Sequence, residues 1–164
     1  HSDDYYASDD VLADVAARFA AEQVDWVFGA IQTLKDGRLL APHPMRPFSY
    51  RALASGRAFV PHPAVFIRKA VFERVGLFDE TLSDAMDIDL WLRLAQVARP
   101  ATIARPLAVF RDHAGSVSSA NKLNARREEF RVRRRYLRQA PLAFGLYCLR
   151  YLKRLRALRR DAAA

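Results

Sequence analysis

Val24-Asp25-Trp26-Val27-Phe28-Gly29-Ala30-Ile31 (VDWVFGAI) is a run of β-branched and aromatic residues, the composition of a buried strand. Lys35-Asp36-Gly37 follows it and reads as a tight turn back. On the other side, Ser8 suits a helix N-cap, with Asp9 and Asp10 placed where carboxylates favour the positive helix end. Val11, Leu12, Val15, Ala16 and Phe19 then recur at helical spacing and predict a helix over about 9 to 22. Pro42, Pro44 and Pro47 mark a loop. A second compact unit is expected from near Phe59. It holds a rigid loop at Pro61-His62-Pro63, a short strand over Ala64–Ile67, and a helix over Lys69–Val75 that Gly76 ends in the left-handed conformation. Ser83 or Asp84 can cap a further helix reaching to about Val97, and Leu107–Arg111 reads as a strand. Two helices fill the tail, roughly 121–139 and 142–160, separated at Pro141. Short strands alternating with helices predict an α/β layered domain with a helical, basic tail. No internal repeat is present, and no stretch reaches the ~20 apolar residues of a spanning helix.

With 164 residues, 51% of them apolar, the chain can bury a real core. Cys148 stands alone, so no internal disulfide can form and a reducing compartment fits, which predicts a cytoplasmic protein. The chain opens with His1 and shows neither a basic leader nor an apolar signal core, and a fragment is the expectation. The net charge of +9 is unevenly placed. Residues 1–120 hold 13 Lys and Arg against 15 Asp and Glu, whereas residues 121–164 hold 14 against 3. A near-neutral body with a basic appendage argues against a nucleic-acid-binding core.

Three polar segments sit at the edges of apolar elements. Ser2-Asp3-Asp4 offers adjacent carboxylates, a common holder of a hard divalent cation that also bridges phosphates, although such a pair is also ordinary solvated surface or a helix cap. In DAMDIDLWLRL (Asp84–Leu94), Asp89 and Arg93 are four apart on a helix and can pair. Asp87 shares that spacing with Trp91 and has no local basic partner. Desolvation beside an aromatic would raise its pKa, as a general base requires; the plainer role is favouring its helix N-terminus. Phe110-Arg111-Asp112-His113 leaves a strand end, with Ser116 and Ser118 close behind, and a histidine there can complete a metal site or simply be hydrogen-bonded. Gly-rich phosphate loops and paired cysteines are absent from the sequence. Two carboxylates such as Asp4 and Asp87 also leave a glycoside hydrolase open.

Taken in order, these segments resemble an inverting glycosyltransferase of family 2 with the GT-A fold: Ser2-Asp3-Asp4, VDWVFGA, HPAVFIRKAVFERVGLFDE, DAMDIDLWLRL, then the Phe110–His113 and SVSS runs. The resemblance covers about 1–120 and extends loosely into the Glu128-Glu129 helix. It implies the C-terminal part of a Rossmann-like GT-A domain over 1–120, a mixed sheet flanked by helices, followed by the basic tail 121–164. It implies that Asp4 is a ligand of Mn²⁺ or Mg²⁺, with Asp3 nearer the donor, and that His113 completes the metal site. It also implies that Asp87 is the catalytic base. Met86 stands where the family carries an acid before that aspartate, and the Gln-x-x-Arg-Trp signature of processive synthases is absent, which points to single-sugar transfer. The family's nucleotide-binding strand and loop, roughly the first 80–100 residues of such a domain, would precede this chain, so the chain alone is expected to bind nucleotide poorly and to be inactive.

The implied partners are a nucleotide-sugar donor and a hydroxyl acceptor such as a lipid-linked glycan, in surface polysaccharide or glycolipid assembly. His62 and Trp91 are expected near the acceptor pocket or in the core. In the tail, Leu142, Leu146, Leu149, Leu152 and Leu155 repeat at helical spacing among Arg150, Lys153, Arg154, Arg156, Arg159 and Arg160. Such a basic amphipathic helix suits peripheral binding to an anionic membrane face, here the inner face of the cell membrane, or packing on its own domain with a solvated basic side. The competing class is a non-catalytic module whose basic tail binds nucleic acid. The body carries no basic patch in sequence, so no nucleic-acid partner is expected.

Overall fold

In the computed structural model, residues 3–112 and 122–161 are described. The sheet is built around β2 (Trp26–Lys35), whose first six residues are all buried. A strand buried on both faces has to read as a continuous apolar run, which is what VDWVFGAI supplies. It continues to Lys35 because β3 (Arg38–Leu39) folds back on it, pairing Leu34 with Leu39 and Lys35 with Arg38. Asp36 and Gly37 both take positive φ, 49° and 72°, as a two-residue hairpin loop requires.

β5 (Pro100–Asp112) runs parallel to β2, and β1 (Tyr5–Tyr6) pairs antiparallel with the far side of β5. β4 (Val65–Ile67) pairs antiparallel with the start of β2, on the edge that β3 shares. The expected strand at Leu107–Arg111 is thus only the last part of a longer one. Pro100 and Pro106 read as breakers, but Pro106 falls where the β2–β5 ladder loses register, a place where its missing N–H is tolerated.

Each face of the sheet has its own core. On one, Val11 and Val15 of α1 (Val11–Ala21) pack with Val27, Ile31 and Leu107. On the other, Trp26 and Phe28 pack with Leu90, Trp91 and Leu94 of α4 (Met86–Val97) and with Leu53 of α2 (Tyr50–Ala54). Trp26 and Trp91 stack nearly parallel, with centroids 6.0 Å apart. The alternation of β2 between these partners makes the architecture α/β, a mixed sheet flanked by helices, as the sequence predicts.

At the irregularity, Gly29 is needed for space. A Cβ there would overlap the Leu107 side chain and stand 3.0 Å from the Arg105 carbonyl oxygen. Gly29→Ala is therefore expected to destabilise the fold by about 1–3 kcal/mol, measured as a lower urea midpoint with unchanged slope.

Two local expectations change. α2 follows the proline loop in a stretch where no element was expected, and Ser49 caps it by accepting a bond from the Ala52 amide at 3.1 Å. α3 (Val71–Val75) ends at Gly76, but with φ 74° and ψ 174°, an extended mirror-image conformation that also demands glycine, rather than the left-handed helical one. The tail forms the two expected helices, α5 (Lys122–Arg135) and α6 (Pro141–Asp161), with Pro141 as the first residue of the second, where a missing N–H costs no bond. Among the described residues no helix is long and apolar enough to cross a membrane.

Candidate active site

The site is assembled at the N-terminus of α4. Neither Ser83 nor Asp84 caps this helix; Ala85 stands at the cap position and offers no side-chain acceptor. What holds the entry to the helix comes instead from α5, across the fold. The Glu128 carboxylate accepts from the amides of Ser83 (3.2 Å), Asp84 (2.5 Å) and Ala85 (2.8 Å). Burial acts to raise the Glu128 pKa, but these bonds outweigh it and hold the carboxyl below its usual range.

Glu128 thus fixes the first turn of α4, which carries Asp87. Asp87 is half-buried, and its Oδ1 accepts from the Ile88 amide at 2.6 Å. Among the described residues it makes no ion pair. Burial pushes its carboxyl up to about 6; the Ile88 amide opposes this, and the nearby Glu129 charge adds to it. Asp89, two residues on, has a different fate. It is buried and pairs with Arg93 at 2.9 Å, as the four-residue spacing predicts, and it accepts from the Tyr136 hydroxyl at 2.9 Å. One aspartate is locked into the structure by its partners, and its neighbour is held with a raised pKa.

Asp87 faces an open cleft of about 620 Å³, lined also by Phe59, Asp84, Arg126, Arg133 and Arg154. The tail helices form one of its walls. Arg133 is buried, pairs with Glu129 at 2.9 Å, donates to the carbonyls of Leu53 and Ala54, and stacks on the Tyr147 ring at 4.6 Å. Arg126 holds the other Glu129 oxygen at 2.8 Å. Sequence reading attached the Glu128-Glu129 helix only loosely to the site. The available signal was an acidic pair inside a helix otherwise crowded with arginine.

The carboxylates at the start of the chain lie against the end of β5. Pairing of β1 with β5 sets Tyr5 opposite Val109, so the Asp4 Oδ1 reaches the Arg111 amide at 3.3 Å. The structure thereby joins two of the predicted polar segments, Asp3-Asp4 and Phe110–Asp112. His113 lies outside the described residues. Among the described residues, Asp4 Oδ2 is buried and has no hydrogen-bond partner. Burial raises the Asp4 pKa, the Arg111 amide opposes it, and the Asp3 charge adds to it. Among the described residues no three His, Cys, Asp or Glu side chains group as a metal site. Mg²⁺ and Mn²⁺ need only one or two carboxylates when substrate phosphates supply further oxygens, so the unpartnered Asp4 oxygen still fits such an ion.

His62 and Trp91 sit apart from the cleft lining. Trp91 is 1% exposed, a core residue stacked on Trp26. His62 meets the edge of Trp91 at 5.8 Å and is close enough to Asp4 for their charges to interact. Burial lowers the His62 pKa, and Asp4 opposes that shift.

No protein-family model matches the chain. Over 113 residues it is 30% identical to two proteins, from two strains of Mycobacterium tuberculosis, that are each named an uncharacterized glycosyltransferase. The match covers 67% of this chain and 42% of each relative, so the chain spans less than half their length. The similarity is to proteins of the coarse class, glycosyltransferase, that the sequence resemblance implied.

Proposed function

We propose that this chain is the acceptor-side part of an inverting glycosyltransferase that uses a nucleotide-sugar donor, with Asp87 as its general base. The observation that carries the reading is Asp87 itself: a carboxylate in the first turn of α4, without an ion-pair partner among the described residues, raised to about 6 and open to a cleft. A base whose pKa lies just under neutrality is ionised at working pH yet still draws a proton strongly. Asp87 takes the proton of an acceptor hydroxyl as that oxygen bonds to the anomeric carbon. The bond from that carbon to the diphosphate breaks on the opposite face, and the sugar inverts. Asp4, with Asp3 beside it, would hold Mn²⁺ or Mg²⁺, whose charge offsets that of the departing nucleoside diphosphate.

Ion pairing by the arginines of α5 supports this reading over a nucleic-acid-binding tail. Arg126, Arg133 and Arg135 are committed to Glu129, Asp79 and Asp89 rather than arrayed for phosphates.

The test is release of nucleoside diphosphate from a panel of nucleotide sugars by the complete gene product. Turnover that requires Mn²⁺ or Mg²⁺ and stops with chelator is the expected result; no turnover with any donor and acceptor would leave a non-catalytic relative. The pH profile checks the base separately. Because the base must be unprotonated, kcat/KM should fall about tenfold per pH unit below about 6 and level off above it. An acid limb near 4, the range of an ordinary carboxylate, would contradict a desolvated Asp87.

A further inference from the structure

α6 has two working sides. Its inner side packs on the domain through Ala143 and Tyr147, which are buried, and through Tyr151, whose ring lies 4.6 Å from that of Phe130. Farther along, Arg154 and Ala157 of the same helix line the Asp87 cleft. The opposite side is exposed and apolar: Leu142 is 86% exposed, Leu146 52% and Leu149 67%. These leucines are three and four residues apart, so they form one ridge, and Lys153 and Arg156 continue the same face toward the cleft end. Arg150 flanks it. A ridge of large apolar side chains is costly to leave in water, and its continuation in cations identifies what would cover it. A protein partner would need acidic groups at matched positions, whereas an anionic bilayer presents an acyl boundary and phosphates together, over any register.

We infer that α6 docks on an anionic membrane face, its leucine ridge entering the boundary between headgroups and acyl chains while Arg150, Lys153 and Arg156 meet lipid phosphates. No membrane crossing is involved. The consequence for the proposed reaction, and the one part that rests on it, is that α6 holds the Asp87 cleft beside the bilayer, where an acceptor carried on a lipid can reach it.

The experiment is co-sedimentation of the complete gene product with vesicles of phosphatidylcholine alone or mixed with phosphatidylglycerol, at low and high salt. Wild type should bind the anionic vesicles at low salt, and each basic residue removed, as in Lys153→Gln and Arg156→Gln, should weaken partitioning about fivefold. Leu146→Ser with Leu149→Ser should weaken it about tenfold or more. These positions are exposed or half-exposed, so an unchanged thermal melt accompanies the loss. No binding by wild type, or full binding by the leucine variant, would overturn the inference. So would a leucine variant that loses only self-association, which would assign the ridge to a second copy of the chain. Nucleoside diphosphate release with a soluble acceptor should be unchanged in the leucine variant. Failure of the proposed chemistry is thereby read separately from failure of docking.

Discussion

Replacing Asp87 with Asn is expected to lower turnover of the complete gene product about 10²–10⁴-fold, with a much smaller change in KM. The amide keeps the shape of the side chain and can still accept the Ile88 N–H through Oδ1, so the first turn of α4 is retained. Only the ability to take a proton is removed. The same substitution should leave the protein as stable at pH 7, or more so. The sign follows from linkage: the folded carboxyl is raised from 3.8 to about 6, so folding binds a proton in that interval. Whatever stability this group contributes is present below pH 3.8 and is lost as pH rises through about 6. Asn never bears the buried charge. Loss of activity together with an equal or higher melting temperature would separate a base from a structural residue, and an unchanged rate would remove Asp87 from the mechanism.

The fold was legible where local chemistry and tertiary position agree. β2 announced itself because both of its faces are buried, α1 because its apolar stripe meets one sheet face, and the turn at Asp36-Gly37 because positive φ favours those residues. The first half of β5 was not legible, since Pro100 opens the strand and Pro106 lies inside it at a register break. The Asp89–Arg93 pair could be read from spacing alone. The anchor of the segment leading into α4 could not. Its acceptor, Glu128, is more than forty residues away, and short-range rules look for Ser, Thr, Asp or Asn at the cap itself. Asp87 stood out by its lack of a local cation, but the cleft beside it exists only because the tail helices close over α2 and α4.

That closure has a measurable cost when disturbed. Glu129→Gln is expected to destabilise the protein by about 3–5 kcal/mol, because it leaves the Arg133 guanidinium buried without a countercharge. Arg133 is 3% exposed, and its pairing with Glu129 and with the carbonyls of α2 anchors α5 to the sheet's helical face. For a chain of this size the loss should appear as a fall in melting temperature of roughly 10 °C. Acid should act in the same direction: Arg133 and Arg126 overcome the effect of burial and hold the Glu129 carboxyl below its usual 4.5. The stability from this pair is therefore present above that pH and lost as pH falls through the lowered value. Changing both Glu129 and Arg133 to Met should recover much of the single-variant loss, since no unpaired charge remains. A second readout ties this pair to the site. Glu129 helps to keep the Asp87 carboxyl high, so under conditions where Glu129→Gln stays folded the acid limb of its activity profile should move to lower pH. A single-variant loss below about 1 kcal/mol would show that the tail is an appendage; the larger loss, with the shifted limb, would show that the basic tail is part of the domain and sets the base it covers.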